Sequence, residues 1–392
     1  MTASGDQAKA GAARPQGTLP GLRAAVIGGG IAGLSAALAL ARHGATVEVH
    51  EQAPDLRAFG AGIQLSPNGM RVLEALGLGA AIREVSRRSV AVQLRDASGA
   101  PVARIDHRRH RPDAQFRVIH RGRLIEVLAR ACAKAGVRVT LNDRREGPPQ
   151  EAGLVVAADG LRSAMRAGLN GREVPFFTHQ TAWRALIRDD GAAPAESQVF
   201  MAPGRHLVSY PLADGLHNII AVEERHEWQD EGWSHPGDPS DLRAAFAGFG
   251  GPVPGWLESV EAVHLWGLFR HPIAPVWQDG RTVLIGDAAH PMLPFLAQGA
   301  VMALEDAWIL AATLAARPED QATALARFQA VRQPRVARVV AAANANATNF
   351  HLAGARRIVA HAGLRAVTRW APGLLAARFD WLHDYDPVAV PH

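Results

Sequence analysis

Arg23 to Glu51 reads RAAVIGGGIAGLSAALALARHGATVEVHE, and the order of its parts decides the fold. RAAVI is a short β-branched and Ala run, GGG a turn, IAGLSAALALARHG an Ala/Leu helix closing on Gly44, and ATVEVHE a second strand. Strand, Gly-rich turn, helix and strand together make a βαβ opening. Gly28, Gly30 and Gly33 supply G-x-G-x-x-G at its turn. The first glycine allows the tight turn, the second lets backbone approach a pyrophosphate, and the third lets the helix pack closely on the strand. The helix N-terminus then offers free N–H groups and partial positive charge to that anion. Glu51 ends the second strand, where an acid accepts hydrogen bonds from a ribose diol. The uncharged run Ala24 to Ala41 just reaches membrane-span length. The glycines split it into pieces too short to cross, so it reads as strand and helix.

Outward from this unit, SPNGMRVLEALGLG reads as a capped helix and RVIHRGRLIEVLARACAKAG as another. The strand VRVTL follows, and LVVAADG is a buried strand ending at Asp159 and Gly160. From Thr181 to His264 the texture changes to short alternating runs such as RHLVSYPL and HNIIAVEE, the pattern of antiparallel sheet. RTVLIGDAAH returns to buried parallel-strand character, AVMALEDAWILAATLAA is a long helix, and the remainder reads as helical. The expected fold is α/β (α+β). A Rossmann-like dinucleotide-binding domain (21–175 and 268–340) is interrupted by a mixed antiparallel sheet domain (176–267). A flexible tail (1–20) precedes it and a C-terminal helical segment (341–392) follows.

The formal charge is +5 over 392 residues, and arginine replaces lysine everywhere except Lys9 and Lys134. No basic run is interleaved with aromatics, which argues against a nucleic-acid partner. No extended span argues for a membrane. The single cysteine, Cys132, excludes an internal disulfide framework and suits a reducing cytoplasm. Its helical apolar setting reads as a small buried hydrophobe. No H-E-x-x-H, cysteine pair or spaced His cluster supports a metal site, and G-x-S-x-G is absent.

Two later strand-end acids, Asp159 and Asp287, have no obvious use in a simple nicotinamide dehydrogenase. FAD, with its ribityl hydroxyls, has one for them. At this point the chain resembles the single-component FAD-dependent aromatic hydroxylases, in particular their salicylate and 3-hydroxybenzoate hydroxylase branch. The resemblance rests on VIGGGIAGLSAA, GAGIQLSPN, HRGRLIEVL, AADGLRSAMR, AWRAL, LIGDAAHPMLPFLAQGA and RFDWLHDYD, from about Arg23 to Asp386. It implies that Gly28, Gly30, Ile31, Ala32 and Gly33 hold the FAD pyrophosphate. Glu51, with Gln52 beside it, would hold the adenosine ribose. Arg121 matches an FAD-contacting arginine, and Asp159 a segment linked to FAD and NAD(P)H. Gly286 and Asp287 match the ribityl site, and Pro294, Gly299 and Ala300 the loop and helix start that pass the flavin. The implied reaction draws electrons from NADH or NADPH, reduces O2 through a C4a-hydroperoxyflavin and hydroxylates a small aromatic substrate.

His206 and Tyr210 stand four apart in RHLVSYPL, so on a strand both face one side. Histidine suits deprotonation of a phenol near neutral pH, and the resemblance puts a catalytic histidine and a substrate-facing tyrosine at this spacing. A sheet histidine satisfied by its neighbours is the plainer reading. Gln298 is a third catalytic candidate, able to bond a ring hydroxyl or the flavin edge, or else to tie down a helix start. Gln64, Tyr210 and Pro294 are substrate-pocket candidates. Gln64 departs from relatives with histidine there, and Val301 from relatives with a polar residue. His290 reads as a supporting group near the flavin. RFDWLHDYD either docks on the core or lines the substrate entrance. A monomer or a homodimer fits the chain. A flavin oxidoreductase without oxygen insertion, or a flavin-binding protein with a degenerate pocket, are the alternative functions.

Overall fold

The structure, a computed structural model, describes residues 18–56, 61–189, 191, 193–225, 227 and 234–391. Most of the expected tail therefore lies outside the described residues.

The opening βαβ unit forms as read. Arg23–Ile27 pairs in parallel with Thr46–His50 on one side and Leu154–Ala157 on the other. Thr282–Leu284 and Arg138–Thr140 complete a five-stranded parallel sheet in the spatial order 282–284, 154–157, 23–27, 46–50, 138–140. Its inner strands are apolar on both faces because helices cover both. Ile31–Arg42 packs against Gly299–Ala316 and Arg121–Lys134. Helix Gly299–Ala316 is long and apolar enough to cross a membrane, but 67% of that stretch is buried inside the protein, as a core helix would be. Cys132 is buried, and burial pushes its thiol up to about 12, which makes it the inert hydrophobe expected.

The second sheet has eight strands and is mixed. Its centre is the long strand Phe176–Arg188, paired antiparallel with Leu216–Glu224 and Val263–Arg270. Arg205–Pro211 joins Leu216–Glu224, and Ser197–Ala202 joins Arg205–Pro211. The far edge corrects the expected boundaries. Ala91–Asp96 pairs in parallel with Ser197–Ala202 and carries Pro101–Asp106 beside it. Two strands from the segment assigned to the dinucleotide-binding part thus belong to the large sheet, because their free edge hydrogen bonds are met there. RVIH is also not helical. Arg117–His120 is the middle strand of a small antiparallel sheet with Gly62–Leu65 and Ser86–Arg88, and the helix begins only at Arg121.

Helix Gln321–Phe350 runs unbroken through the boundary expected at residue 340. Gly354–Trp370 and two short helices follow, ending at His383. This tail docks on the core through cations. Arg71 Nη1 donates to the carbonyls of His383 and Tyr385. Arg335 lies 3.6 Å from the Tyr385 ring centre and Arg338 4.0 Å from that of Trp381.

Candidate active site

One cavity of about 680 Å³ runs from the glycine turn to the large sheet. That volume is typical of a site enclosing a whole small ligand. At one end stand Gly30, Ile31 and Ala32. Gly33 has no room for a side chain, since a Cβ there would lie 1.9 Å from the Gly28 carbonyl oxygen. Gly28 has φ +106°, and its Cβ would lie 2.4 Å from the Ala158 oxygen. Gly30 differs: among the described residues no atom stands within 4 Å of a Cβ there. Two glycines are thus needed for packing, and the third leaves space over a helix start that no side chain caps. Free N–H groups facing open space suit an anionic group.

Glu51 closes the turn from outside. Its carboxylate accepts from Gly29 N at 2.6 Å and from Ala53 N at 2.8 Å. Its neighbour Gln52 is exposed and is not part of the cavity wall. Asp159 also stands behind the wall, between Ala158 and Gly160, which line it. One Asp159 oxygen accepts from Ala164 N at 2.9 Å, the other is buried with no hydrogen-bond partner among the described residues, and burial raises its pKa.

Asp287 occupies the middle of the cavity. Strand Thr282–Leu284 ends in a 3₁₀ turn, Gly286–Ala288, that turns this carboxylate into the open space. Asp287 is accessible by surface area, and the space it meets is the cavity, with protein packed around it. Burial therefore raises its pKa, against the opposing charges of His290 and Arg121. Gly286, at φ +57°, lies against Ala32 and lets the turn meet the first helix. Beyond it, Pro294, Gly299 and Ala300 line the cavity as the next helix begins. Ala297, in the left-handed region at φ +52°, turns the chain into that helix.

Strand Arg205–Pro211 forms the opposite wall. His206, Val208 and Tyr210 all face the cavity, as their alternation requires. His206 is wedged between Phe295 and Phe350, each ring centre 5.2 Å away. Burial holds its pKa well below the ordinary value, so the imidazole is neutral. Burial likewise raises the Tyr210 phenol. Gly62 allows this ring in, since a Cβ there would come 2.6 Å from Tyr210 Cε2. Gln64, on the same short strand, also lines the cavity.

Gln298 reaches the wall with its amide already engaged. Nε2 donates to Ser66 Oγ at 3.0 Å, and Oε1 accepts from Asn68 Nδ2 at 3.2 Å. Asn68 in turn donates to Glu305 at 2.7 Å. Glu305 belongs to a buried ionic cluster absent from the sequence reading. Arg332 bonds Glu305 at 2.6 Å and Asp306 at 2.7 Å, Arg335 bonds Glu305 at 2.7 Å, and His290 Nε2 bonds Asp306 at 2.6 Å. His290 Nε2 is thereby engaged within this cluster. The C-terminal segment docks on the core, and Phe379, Leu382 and His383 also line the cavity.

Arg184 was missed as well. The AWRAL motif drew attention, but its arginine was not singled out. It lines the cavity over the Trp266 ring, with a buried Nε that has no hydrogen-bond partner among the described residues. Only pairing across the sheet places this cation beside Tyr210 and Arg121, whose charges it feels.

The arrangement fits FAD on its own terms: an uncapped helix start, an enclosed acid midway, and a helix N-terminus at the far end. The FAD binding domain family matches residues 22–343. The chain is 39% identical over 353 residues to 3-amino-4-hydroxybenzoate 2-monooxygenase of Streptomyces platensis, covering 84% of this chain and 89% of that one. It is 31% identical to 3-hydroxybenzoate 6-hydroxylase of Klebsiella oxytoca, with coverage of 86% and 91%. The structure of a salicylate hydroxylase substrate complex superposes with a TM-score of 0.78 at 25% identity, covering 95% and 97% of the two chains. A chain with this family match and these relatives, whose glycine turn and enclosed acid share one cavity with a buried histidine, belongs to the FAD-dependent aromatic hydroxylases and is an FAD-dependent monooxygenase.

Proposed function

We propose that this monooxygenase hydroxylates a small phenolic aromatic acid, with NADH or NADPH as electron donor and O2 as co-substrate. The observation that carries the reading is the strand bearing His206 and Tyr210, which faces the same cavity as Asp287 and the glycine turn. Bound FAD supplies reducing equivalents and activates oxygen; the chain's own groups orient, polarise and exclude water. Gly30 and the first helix would hold the pyrophosphate, Glu51 the adenosine ribose, and Asp287 the ribityl hydroxyls. The start of helix Gly299–Ala316, whose Gly299 and Ala300 line the cavity, would offer partial positive charge to the flavin end.

His206 takes the proton from the substrate hydroxyl, which raises electron density on the ring. Tyr210 hydrogen-bonds the ring substituent. Gln298 acts by holding the wall rather than by touching the ring, because Ser66 and Asn68 occupy its amide. Arg184 gives the cavity a cation suited to a carboxylate. Relatives named for 3-amino-4-hydroxybenzoate, 3-hydroxybenzoate and 6-hydroxynicotinate define the compounds to try. Presented with these three and salicylate, the FAD-loaded enzyme should speed NADH or NADPH oxidation and form hydroxylated product in equal amount. FAD binding with no response to any aromatic acid would sink the reading. Oxidation that speeds up without product would favour the oxidoreductase alternative.

A further inference from the structure

Behind His206 the hydrogen bonds continue outward. His206 Nδ1 lies 2.7 Å from His351 Nε2, and His351 Nδ1 lies 2.7 Å from Glu224 Oε1. His206 is on the cavity wall, the His351 side chain is 3% exposed, and that of Glu224 is 55% exposed. Three elements meet to build this line. They are strand Arg205–Pro211, its partner Leu216–Glu224, and the end of helix Gln321–Phe350, which His351 caps.

The chemistry of the ends settles the protons between them. An ionised carboxylate only accepts, so His351 Nδ1 must carry the hydrogen it shares with Glu224. A neutral His351 then has a bare Nε2, which requires His206 Nδ1 to be the donor. A neutral His206 with its proton on Nδ1 has its lone pair on Nε2, the nitrogen left for the cavity. Glu224, at the surface, thus fixes the tautomer that makes His206 a base. Burial favours the neutral form of both rings. His351 is the charge felt by His206, and Glu224 the one felt by His351.

We propose that His206, His351 and Glu224 form a proton relay between the cavity wall and the protein surface. This rests on the hydroxylase reading above. The substrate hydroxyl gives its proton to His206 Nε2 as its O–H bond breaks. His206 Nδ1–H passes to His351 Nε2, and His351 Nδ1–H passes to Glu224, which releases it to water. One passage leaves each ring in its other tautomer. When the hydroxylated ring regains aromaticity it loses a C–H proton and its oxygen regains an O–H. Return of a proton along the same line supplies that oxygen and resets both rings, so the relay ends the cycle unchanged. His206 is the catalytic residue of the three, and His351 and Glu224 act through it.

The test uses the FAD-loaded full chain with 3-amino-4-hydroxybenzoate as the probe, following turnover and, with a pH indicator in weak buffer, the proton released on binding. Glu224→Gln, a surface change, and His351→Gln should each slow proton release and kcat by about 10- to 100-fold, below the full effect of a positioned base. KM and FAD content should stay nearly unchanged. Rising imidazole concentration should restore the Glu224→Gln rate, because external base replaces the missing carboxylate, a response that a merely structural defect would not show. Turnover of the parent enzyme with both variants unimpaired overturns the relay and leaves the hydroxylase reading standing. So does slow turnover in Glu224→Gln that no buffer restores. If the parent enzyme turns over neither this probe nor the other three acids, the hydroxylase reading fails and the relay falls with it.

Discussion

Gly33 and Gly30 belong to one motif but answer to different forces. The 1.9 Å approach at Gly33 is to backbone, which has nowhere to go, whereas the space at Gly30 is empty of protein. Gly33→Ala should therefore lower the melting temperature even without FAD. Gly30→Ala should fold normally and lose FAD affinity, as thermal unfolding and FAD titration would show. At His206, replacement by alanine removes the proposed base without touching the glycine turn or Asp287. Hydroxylation should slow by about 10²- to 10⁴-fold while bound FAD, measured by its absorbance, stays near parent levels; loss of FAD would make the histidine structural. The motif glycines, Glu51 and Asp287 were legible because each sits at a strand end, where spacing along the chain is position in space. Arg184, His351 and Glu224 were not, because their meaning comes from neighbours far off in sequence. Gln298 was visible as a residue, but its engagement by Ser66 and Asn68, more than 200 positions away, was not.

Between elements, the joint that matters most is helix Gly299–Ala316 against helix Gln321–Phe350. Arg332 is fully buried between Glu305 and Asp306. Arg332→Ala leaves two buried carboxylates short of a partner and should cost about 3 to 5 kcal/mol in urea unfolding. Asp306 supplies a pH signature. Burial pushes its carboxyl up, but the charges of His290 and Arg332 outweigh this and hold it at about 2. That lies below the ordinary value of about 3.9, so the unfolded chain binds this proton more tightly. Its contribution is complete above about pH 4 and disappears as pH falls through about 2. Stability measured across this acid range should fall less steeply in Asp306→Asn than in the parent. These helices were readable from apolar periodicity, but the ions inside them were not, since a charge on an apolar helix gives no sign of its partner. Arg117–His120 shows the converse. A four-residue run with only Val118 and Ile119 apolar, beside a strong helix pattern, reads as more helix, until pairing with Gly62–Leu65 and Ser86–Arg88 claims it as strand.

At the scale of the molecule, the cavity lies where the parallel sheet's loops meet the face of the eight-stranded sheet, so FAD should brace both. Saturation at about 100 times Kd adds about 2.7 kcal/mol, and the melting temperature should rise with FAD concentration; a melting point indifferent to FAD would show that the cofactor bridges nothing. By itself the sequence determined the βαβ unit, the glycine turn and Asp287 that line the cavity, and the chemical family. These depend on short-range spacing, glycine sterics and strand-end acids. Tertiary structure alone decided that residues 91–106 complete the large sheet, that the C-terminal tail lines the cavity, and that His206 connects to the surface through His351 and Glu224. Edge pairing, docking and hydrogen-bond lines are satisfied by whichever groups arrive from elsewhere in the chain. The local pattern specifies each partner's type but not its identity.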